Sequence, residues 1–309
     1  MLKIFGYQVT GWKGIVLRLL VIYPMVIYFT LLLMVTFMRD SLVYPGASMY
    51  QHLKLGEPVF NHAVEEAGVT LWQTENGQYL GLKRTTTDPE MRWLIFYGNG
   101  DVGLRATGWF ETLGRHLSDR QCDFYVLDYP GYGPQSGKTG EQAIVDLTRL
   151  AAAAIPADGL PLYFFGQSMG AGVSCRLVTE PEWKERVSGL FLTNPYTSLI
   201  AASHQYLKSL VGPFYRLFPV EMIQRDRYES VKNIQSFTGR VVIIAGELDT
   251  LTPAWMAEEL QQEISGASRL WIQTGVGHYT VPEPYAKWQE LMDFLVGSQK
   301  PVGELRSSR

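Results

Sequence analysis

Residues 162–170 read Leu162-Tyr163-Phe164-Phe165 and then Gly166-Gln167-Ser168-Met169-Gly170. An apolar run of strand length precedes the serine, and a segment rich in small residues (Gly170, Ala171, Gly172) follows it with helical character. A serine with glycine two places to either side fits a sharp strand-to-helix turn, which is strained, leaves room only for small neighbours and keeps the hydroxyl free. The helix that follows directs its N-terminus at that hydroxyl and favours negative charge developing there. A bare G-x-S-x-G is a common chance match. The strand before it and the helix after it make it a constraint on the whole chain.

The rest of the sequence supplies the layer such a turn needs. Val69–Gln73 and Tyr79–Lys83 read as strands joined by the turn Glu75-Asn76-Gly77. Trp93–Tyr97, Phe124–Asp128, Leu162–Phe165, Val187–Thr193, Val241–Ala245 and Leu270–Gln273 follow as apolar strands. Helical patterns over Gly103–Leu117, Glu141–Ala154, Met169–Thr179, Ala254–Ile264 and Pro284–Leu295 separate them. Unalternating strands between helices predict an α/β fold, with a mostly parallel sheet and helices on both faces. Active-site residues of such sheets lie at the carboxyl ends of strands. Residues 196–239 break the rhythm and are expected to form a small, mostly helical cap insertion over that edge.

The N-terminus sets a second constraint. Leu19 to Met38, LLVIYPMVIYFTLLLMVTFM, carries no charge. As a helix it is about 30 Å long, the thickness of the hydrocarbon layer. Pro24 is tolerated in membrane helices. Phe37, Met38, Arg39 and Asp40 close the segment, unlike the small residues of a cleavage site. The expectation is a membrane anchor over residues 1–45, with its helix at about 15–38, and a catalytic domain over 46–309. Lys3, Lys13 and Arg18 precede the span with no acid, which puts the N-terminus in the cytoplasm and the domain outside. A net charge of −3 gives no basic excess, so no nucleic-acid partner is expected. Cys122 and Cys175 match no metal or redox spacing and are expected in the core.

Serine needs a base to take its proton and an acid to orient that base. Asp249 follows the strand Val241–Ala245 and His278 follows Leu270–Gln273, in the chain order Ser, Asp, His that such sheets use. Gly277 is expected to let the chain bend so that the imidazole reaches the serine. Plainer roles exist: Asp249 as a helix N-cap ahead of Pro253, His278 as a polar loop residue. Asp226, Glu229 and Glu247 are the competing acids, and His204, in the insertion, could touch substrate. The oxyanion hole is expected from the backbone N–H of Met169 and of Asn99, in Gly98-Asn99-Gly100-Asp101. That loop also contains Gly98-x-Gly100-x-x-Gly103, with Asp128 ending the next strand. This pattern matches a dinucleotide fingerprint but leaves Ser168, Asp249 and His278 without a role. Asp128 precedes Ser168, the wrong order for a catalytic acid, and is expected to hold its turn.

With these residues in order the chain resembles the membrane-anchored α/β-hydrolases of the bud-emergence-related, dienelactone-hydrolase-like group. The motifs are F-Y-G-N-G-D, D-Y-P-G-Y-G-P-Q-S-G, F-G-Q-S-M-G-A-G, N-P-Y-T-S, R-Y-E-S, G-E-L-D and G-V-G-H, spread from about Glu66 to Leu295. The resemblance implies the α/β-hydrolase fold, one N-terminal transmembrane helix, Ser168, Asp249 and His278 as triad, and Asn99 with Met169 as oxyanion hole. This chain departs from it in having Tyr97 where the group has His and Pro130 where it has Arg. The expected activity is that of a serine hydrolase cleaving carboxylic esters or thioesters, small-molecule or lipid-derived, without metal or cofactor. The alternatives are a peptidase or acyltransferase on the same fold, and a non-catalytic membrane-bound scaffold.

Overall fold

The computed structural model describes residues 3–4, 7–8, 11–117 and 120–297. Apart from a two-residue antiparallel pair, Lys3–Ile4 with Tyr7–Gln8, the described strands join in one sheet of eight. They are β1 Thr70–Gln73, β2 Tyr79–Arg84, β3 Met91–Phe96, β4 Cys122–Leu127, β5 Leu162–Gln167, β6 Val187–Thr193, β7 Arg240–Gly246 and β8 Ser268–Gln273. Their order across the sheet is β8-β7-β6-β5-β3-β4-β2-β1. β1 with β2 and β2 with β4 run antiparallel, and the other pairs run parallel. The chain steps from β3 to β4 on one side and then to β5 on the other. The order therefore reverses beside β3, where open α/β sheets form their ligand crevice.

Every residue of β3 and β4 is buried, as the absence of alternation predicts for strands covered on both faces. The hairpin between β1 and β2 turns through Gly77, which adopts φ +79°. The helix expected over 103–117 is two short ones, Gly103–Ala106 and Gly108–Arg115. They part at Thr107, whose hydroxyl bonds back to the Leu104 carbonyl at 2.6 Å.

Six other helices matter for the site. They are α1 Tyr23–Val43, α2 Met169–Leu177, α3 Leu199–Val211, α4 Ser230–Ile234, α5 Ala254–Gln262 and α6 Tyr285–Val296. α2 packs on β5 and β3, α5 on β7 and β8, and α6 on β6 and β7.

α1 continues an apolar helical run that spans Gly14–Val43, 30 residues, within which an 18-residue stretch has a mean hydropathy of 2.3 and no buried residue. It is long and apolar enough to cross a membrane, and a signal sequence would meet the same criteria. The run outlasts the 15–38 expected from sequence: Arg39 and Asp40, which pair at 3.0 Å, lie inside the helix, and it ends at Val43. Pro24 falls in the first turn of α1. One wide turn, Arg18–Ile22, precedes it, and there the Tyr23 N–H reaches the Arg18 carbonyl five residues back. That local π-geometry accommodates the break in the ladder that proline imposes.

The insertion is helical, as expected. Ser198 caps α3 by accepting from the Ala201 N–H at 3.2 Å, a 3₁₀ turn covers Gly212–Leu217, and a short helix covers Val220–Ile223. α3 packs on the 3₁₀ turn and on the Val220–Ile223 helix, whereas α4 packs on α2 and α5. The cap runs beside α1. Tyr28 Oη donates to the Leu217 carbonyl at 2.7 Å and Arg39 Nη1 to the Ile223 carbonyl at 3.2 Å. Tyr206, Leu210, Phe214, Leu217 and Met222 are exposed, so none of these packs the cap onto the sheet.

Candidate active site

The turn around Ser168 is the one its neighbours demand. Ser168 adopts φ 51° and ψ −111°, a left-handed conformation costly for a residue with a Cβ. Its N–H is tied to the Thr193 carbonyl at 2.8 Å. A Cβ at Gly166 would lie 2.6 Å from the Gly170 carbonyl oxygen and 2.6 Å from Ser174 Oγ. One at Gly170 would collide with the backbone carbonyl of Phe96. The two glycines are therefore needed for close approach: helix to strand at one, helix to neighbouring strand at the other.

The structure brings Ser168, His278 and Asp249 together. His278 Nε2 lies 3.0 Å from Ser168 Oγ, and His278 Nδ1 lies 2.8 Å from Asp249 Oδ2. An ionised carboxylate only accepts, so the proton sits on Nδ1 and Nε2 is free to accept from the serine hydroxyl. The Asp249 side chain is fully buried, while that of His278 keeps 18% exposure.

Both carboxylate oxygens of Asp249 are engaged by donors. Oδ1 accepts from the N–H groups of Leu251 and Thr252, at 2.8 and 2.9 Å. Oδ2 accepts from Asn194 Nδ2 at 2.8 Å besides His278, and Thr252 Oγ1 lies 2.8 Å away. Burial pushes this carboxyl up. The hydrogen bond and charge of His278, the Thr252 N–H and the Asn194 amide outweigh that and hold it below the usual 3.8. Asp249 thus turns its own loop and orients the histidine at once, although the N-cap of α5 is Pro253.

Asn194 and Thr252 were not singled out from sequence. Asn194 is fully buried at φ 49°, directly after β6, the strand-end position that already marked Asp249 and His278. Thr252 stands three residues past the aspartate, the spacing of a local side-chain turn.

The bend that delivers His278 lies elsewhere than expected. Gly277 is not in the left-handed region, whereas Gly275 is, at φ +72°. Gly246 is the residue that cannot carry a side chain, because the Gly277 and Val276 carbonyls lie where its Cβ would be. The other acids are occupied away from the serine. Asp226 accepts from Tyr44 Oη and the Glu141 N–H, Glu229 pairs with Lys232, and Glu247 accepts from the Gly275 N–H. His204 bonds Glu221 at 2.8 Å within the cap.

The Gly98–Asp101 loop lies against the serine: a Cβ at Gly98 would be 3.8 Å from Ser168 Cβ. Among the described residues, neither the Asn99 nor the Met169 backbone N–H bonds to a protein acceptor. Asp128 is sealed beneath this loop, accepting from Tyr79 Oη at 2.6 Å, Tyr97 Oη at 2.9 Å and the Gly103 N–H at 2.7 Å. Burial raises its pKa to about 6. Asp128 is thus out of reach of any ribose, and Tyr97 serves as a buried prop. Cys122 and Cys175 are buried free thiols. Among the described residues no cluster could hold a metal ion.

Known proteins resemble this chain in sequence or in fold. The family model described as serine aminopeptidase, S33, matches residues 103–226. Uncharacterized protein Rv2307c of Mycobacterium tuberculosis is 29% identical over 216 residues, 67% of this chain and 70% of that one. The lysophosphatidylserine lipase ABHD12 of Danio rerio is 25% identical over 181 residues, 54% of this chain and 46% of that one. The solved esterase PF2001 of Pyrococcus furiosus superposes with a TM-score of 0.56 at 18% identity, covering 75% of this chain and 93% of that one. The chain has the α/β-hydrolase fold, and the family match and relatives support a hydrolase.

Proposed function

We propose that this protein is a serine hydrolase that cleaves carboxylic esters or thioesters through an acyl-enzyme. The observation that carries the reading is the unbroken relay from Ser168 through His278 to a buried, fully hydrogen-bonded Asp249, with the serine held at positive φ. A scaffold gains nothing from that backbone strain.

In the proposed reaction Ser168 Oγ attacks the carbonyl carbon while its proton passes to His278 Nε2. The oxygen that becomes negative is held by the N–H groups of Met169 and Asn99. The bond to the leaving alkoxide or thiolate breaks, and Nε2 returns the proton to it. Water then gives its proton to Nε2 and attacks the acyl carbon, which releases the acid and restores Ser168. Asp249 keeps the proton on Nδ1 throughout and stabilises the imidazolium.

The test is fluorophosphonate labelling of the purified protein and hydrolysis of a panel of esters. Ser168→Ala should abolish labelling and cost about 10⁶ in rate. Substantial labelling elsewhere would overturn the assignment. A peptidase is the second reading, favoured by the description of the matched family. Aminopeptidase substrates in the same panel separate the two.

We also propose that the apolar N-terminal helix is a single membrane span, as in the membrane-anchored group the motifs resemble, with the N-terminus cytoplasmic because Lys3, Lys13 and Arg18 precede the span with no acid. Tyr28 lies 11 residues before Arg39, about 16 Å along the helix, and bonds the cap at Leu217. The exposed apolar face of the cap would then lie at the depth of lipid chains, which favours lipid-derived esters as substrates.

A further inference from the structure

The loop that carries Asn99 is held by the residues where the N-terminal helix ends. Asn99 Nδ2 donates to the Val43 carbonyl at 3.0 Å. The Asn99 carbonyl accepts from the Gly46 N–H at 3.0 Å and from Tyr132 Oη at 2.8 Å. One place on, the Gly100 carbonyl accepts from Tyr50 Oη at 3.3 Å. Gly46 is packed so closely that a Cβ there would overlap the Tyr132 ring and lie 2.8 Å from the Asp101 carbonyl oxygen.

This strap is itself fixed to the body. Tyr44 is buried, and its hydroxyl donates to Asp226 Oδ2 at 2.6 Å and lies 3.3 Å from Tyr228 Oη. Asp226 in turn accepts from the Glu141 N–H at 3.1 Å. At its other end, Asp40 pairs with Lys138 at 2.9 Å. A residue gripped at its side-chain amide and at its carbonyl has little freedom left in its backbone. The direction of its N–H is then fixed as well.

We propose that Val43–Gly46, the joint between the membrane-length helix and the hydrolase domain, positions the oxyanion hole by holding Asn99 from both sides. The proposal rests on the reading of Ser168 as nucleophile and of the Asn99 N–H as an oxyanion donor. It makes the end of the anchor a working part of the site, and it gives Asn99 a reason to be asparagine although its catalytic group is its backbone.

The experiment uses the full chain in detergent with a soluble nitrophenyl ester and a trifluoromethyl ketone inhibitor. Asn99→Ala keeps the backbone N–H and removes the side-chain grip. Gly46→Ala displaces the strap and leaves the loop sequence untouched. Each should lower kcat by about 10- to 100-fold, below the loss for deleting a donor outright. KM should stay within about twofold, and inhibitor affinity should fall in step with kcat/KM. The acid limb of the pH–rate profile should not move, because Asp249 and His278 are untouched. The double variant should lose less than the product of the two, since both release the same group.

Met49→Ala, at an exposed position just past the strap, should behave as wild type. If Gly46→Ala fails to fold, Asn99→Ala, which only truncates, decides alone. Wild-type kcat in the folded variants, or a loss confined to KM, overturns the strap proposal provided that Ser168→Ala is dead. An active Ser168→Ala overturns the serine reading on which it rests.

Discussion

Replacing Asp249 by asparagine is a near-isosteric change that the site cannot absorb. Oδ1 faces two backbone donors, and Oδ2 faces Asn194 Nδ2 and His278 Nδ1, with the Thr252 hydroxyl beside it. An amide has one oxygen. If it takes the Oδ1 position, its NH₂ points at His278 and Asn194. If it takes the Oδ2 position, its NH₂ points at two N–H groups that cannot turn away. The first arrangement is less costly, because the imidazole can change tautomer and the Asn194 amide can flip. Nδ1 then accepts, Nε2 carries the proton, and the group facing Ser168 Oγ is a donor instead of a base. The expected loss is about 10⁴ in kcat, or roughly 5.5 kcal/mol of barrier at 1.36 kcal/mol per decade. KM should change little. Steady-state hydrolysis of a soluble ester measures the rate, and a cooperative melt close to wild type shows that the fold survives. An Asp249→Asn enzyme within tenfold of wild type would refute the argument, most plainly if Asp226→Asn or Glu247→Gln proved inactive instead.

Gly170→Ala drives a methyl group into the Phe96 carbonyl, so α2 must shift from β3; a loss of about 1–3 kcal/mol should lower the melting temperature by several degrees and cut the rate. An unchanged melt would mean that the contact is not tight. Asp128, pushed up to about 6 against a usual 3.8, keeps its proton in the folded state where the unfolded chain has lost it. Its contribution is therefore fully present below about pH 4 and falls by about 3 kcal/mol as pH rises through about 6. Asp128→Asn should remove that slope, and a stability difference between variant and wild type that stays flat from pH 4 to pH 7 would exclude it. Removing residues 1–38 should leave an active enzyme because the strap stays, whereas removing 1–46 should cost at least tenfold more in kcat; equal activities would count against the strap.

The strands, and the three residues that the structure brings together at Ser168, were legible because each signal is local. A buried parallel strand is a short apolar run, and a residue just past its carboxyl end lies on the crevice whatever the rest of the chain does. Asn194 was legible in principle by the same rule, but an asparagine after a strand has many uses, and only the Asp249 carboxylate beside it shows which applies. The strap was not legible. Val43 contributes a carbonyl and Gly46 an N–H, groups every residue owns, so no side-chain pattern marks them. The misplaced bend has the same origin. Gly246, Gly275 and Gly277 look alike in sequence, and their roles follow from which carbonyl passes close by and which φ is positive.

The spacing of the sheet explains why the histidine comes from so long a loop. Ser168 follows β5, Asn194 follows β6, Asp249 follows the end of β7 and His278 follows β8, so neighbouring strands each deliver one group to the same edge. Strands lie about 4.8 Å apart, which puts the end of β8 about 14 Å from the end of β5. The imidazole must recross that distance to sit between serine and aspartate. Residues 274–278 can extend at most about 17 Å, enough to return with little slack once Gly275 has reversed the chain. Close passage over β7 is then unavoidable, and the Leu248 N–H meets the Val276 carbonyl there at 2.8 Å, with Gly246 below carrying no side chain. The short β7 loop also leaves its aspartate facing inward, where Asn194 from β6 and Thr252 from the start of the next segment close around it. The crossing of the β8 loop over β7 thus sets where the imidazole sits, and the side chains that complete the relay need little freedom of their own.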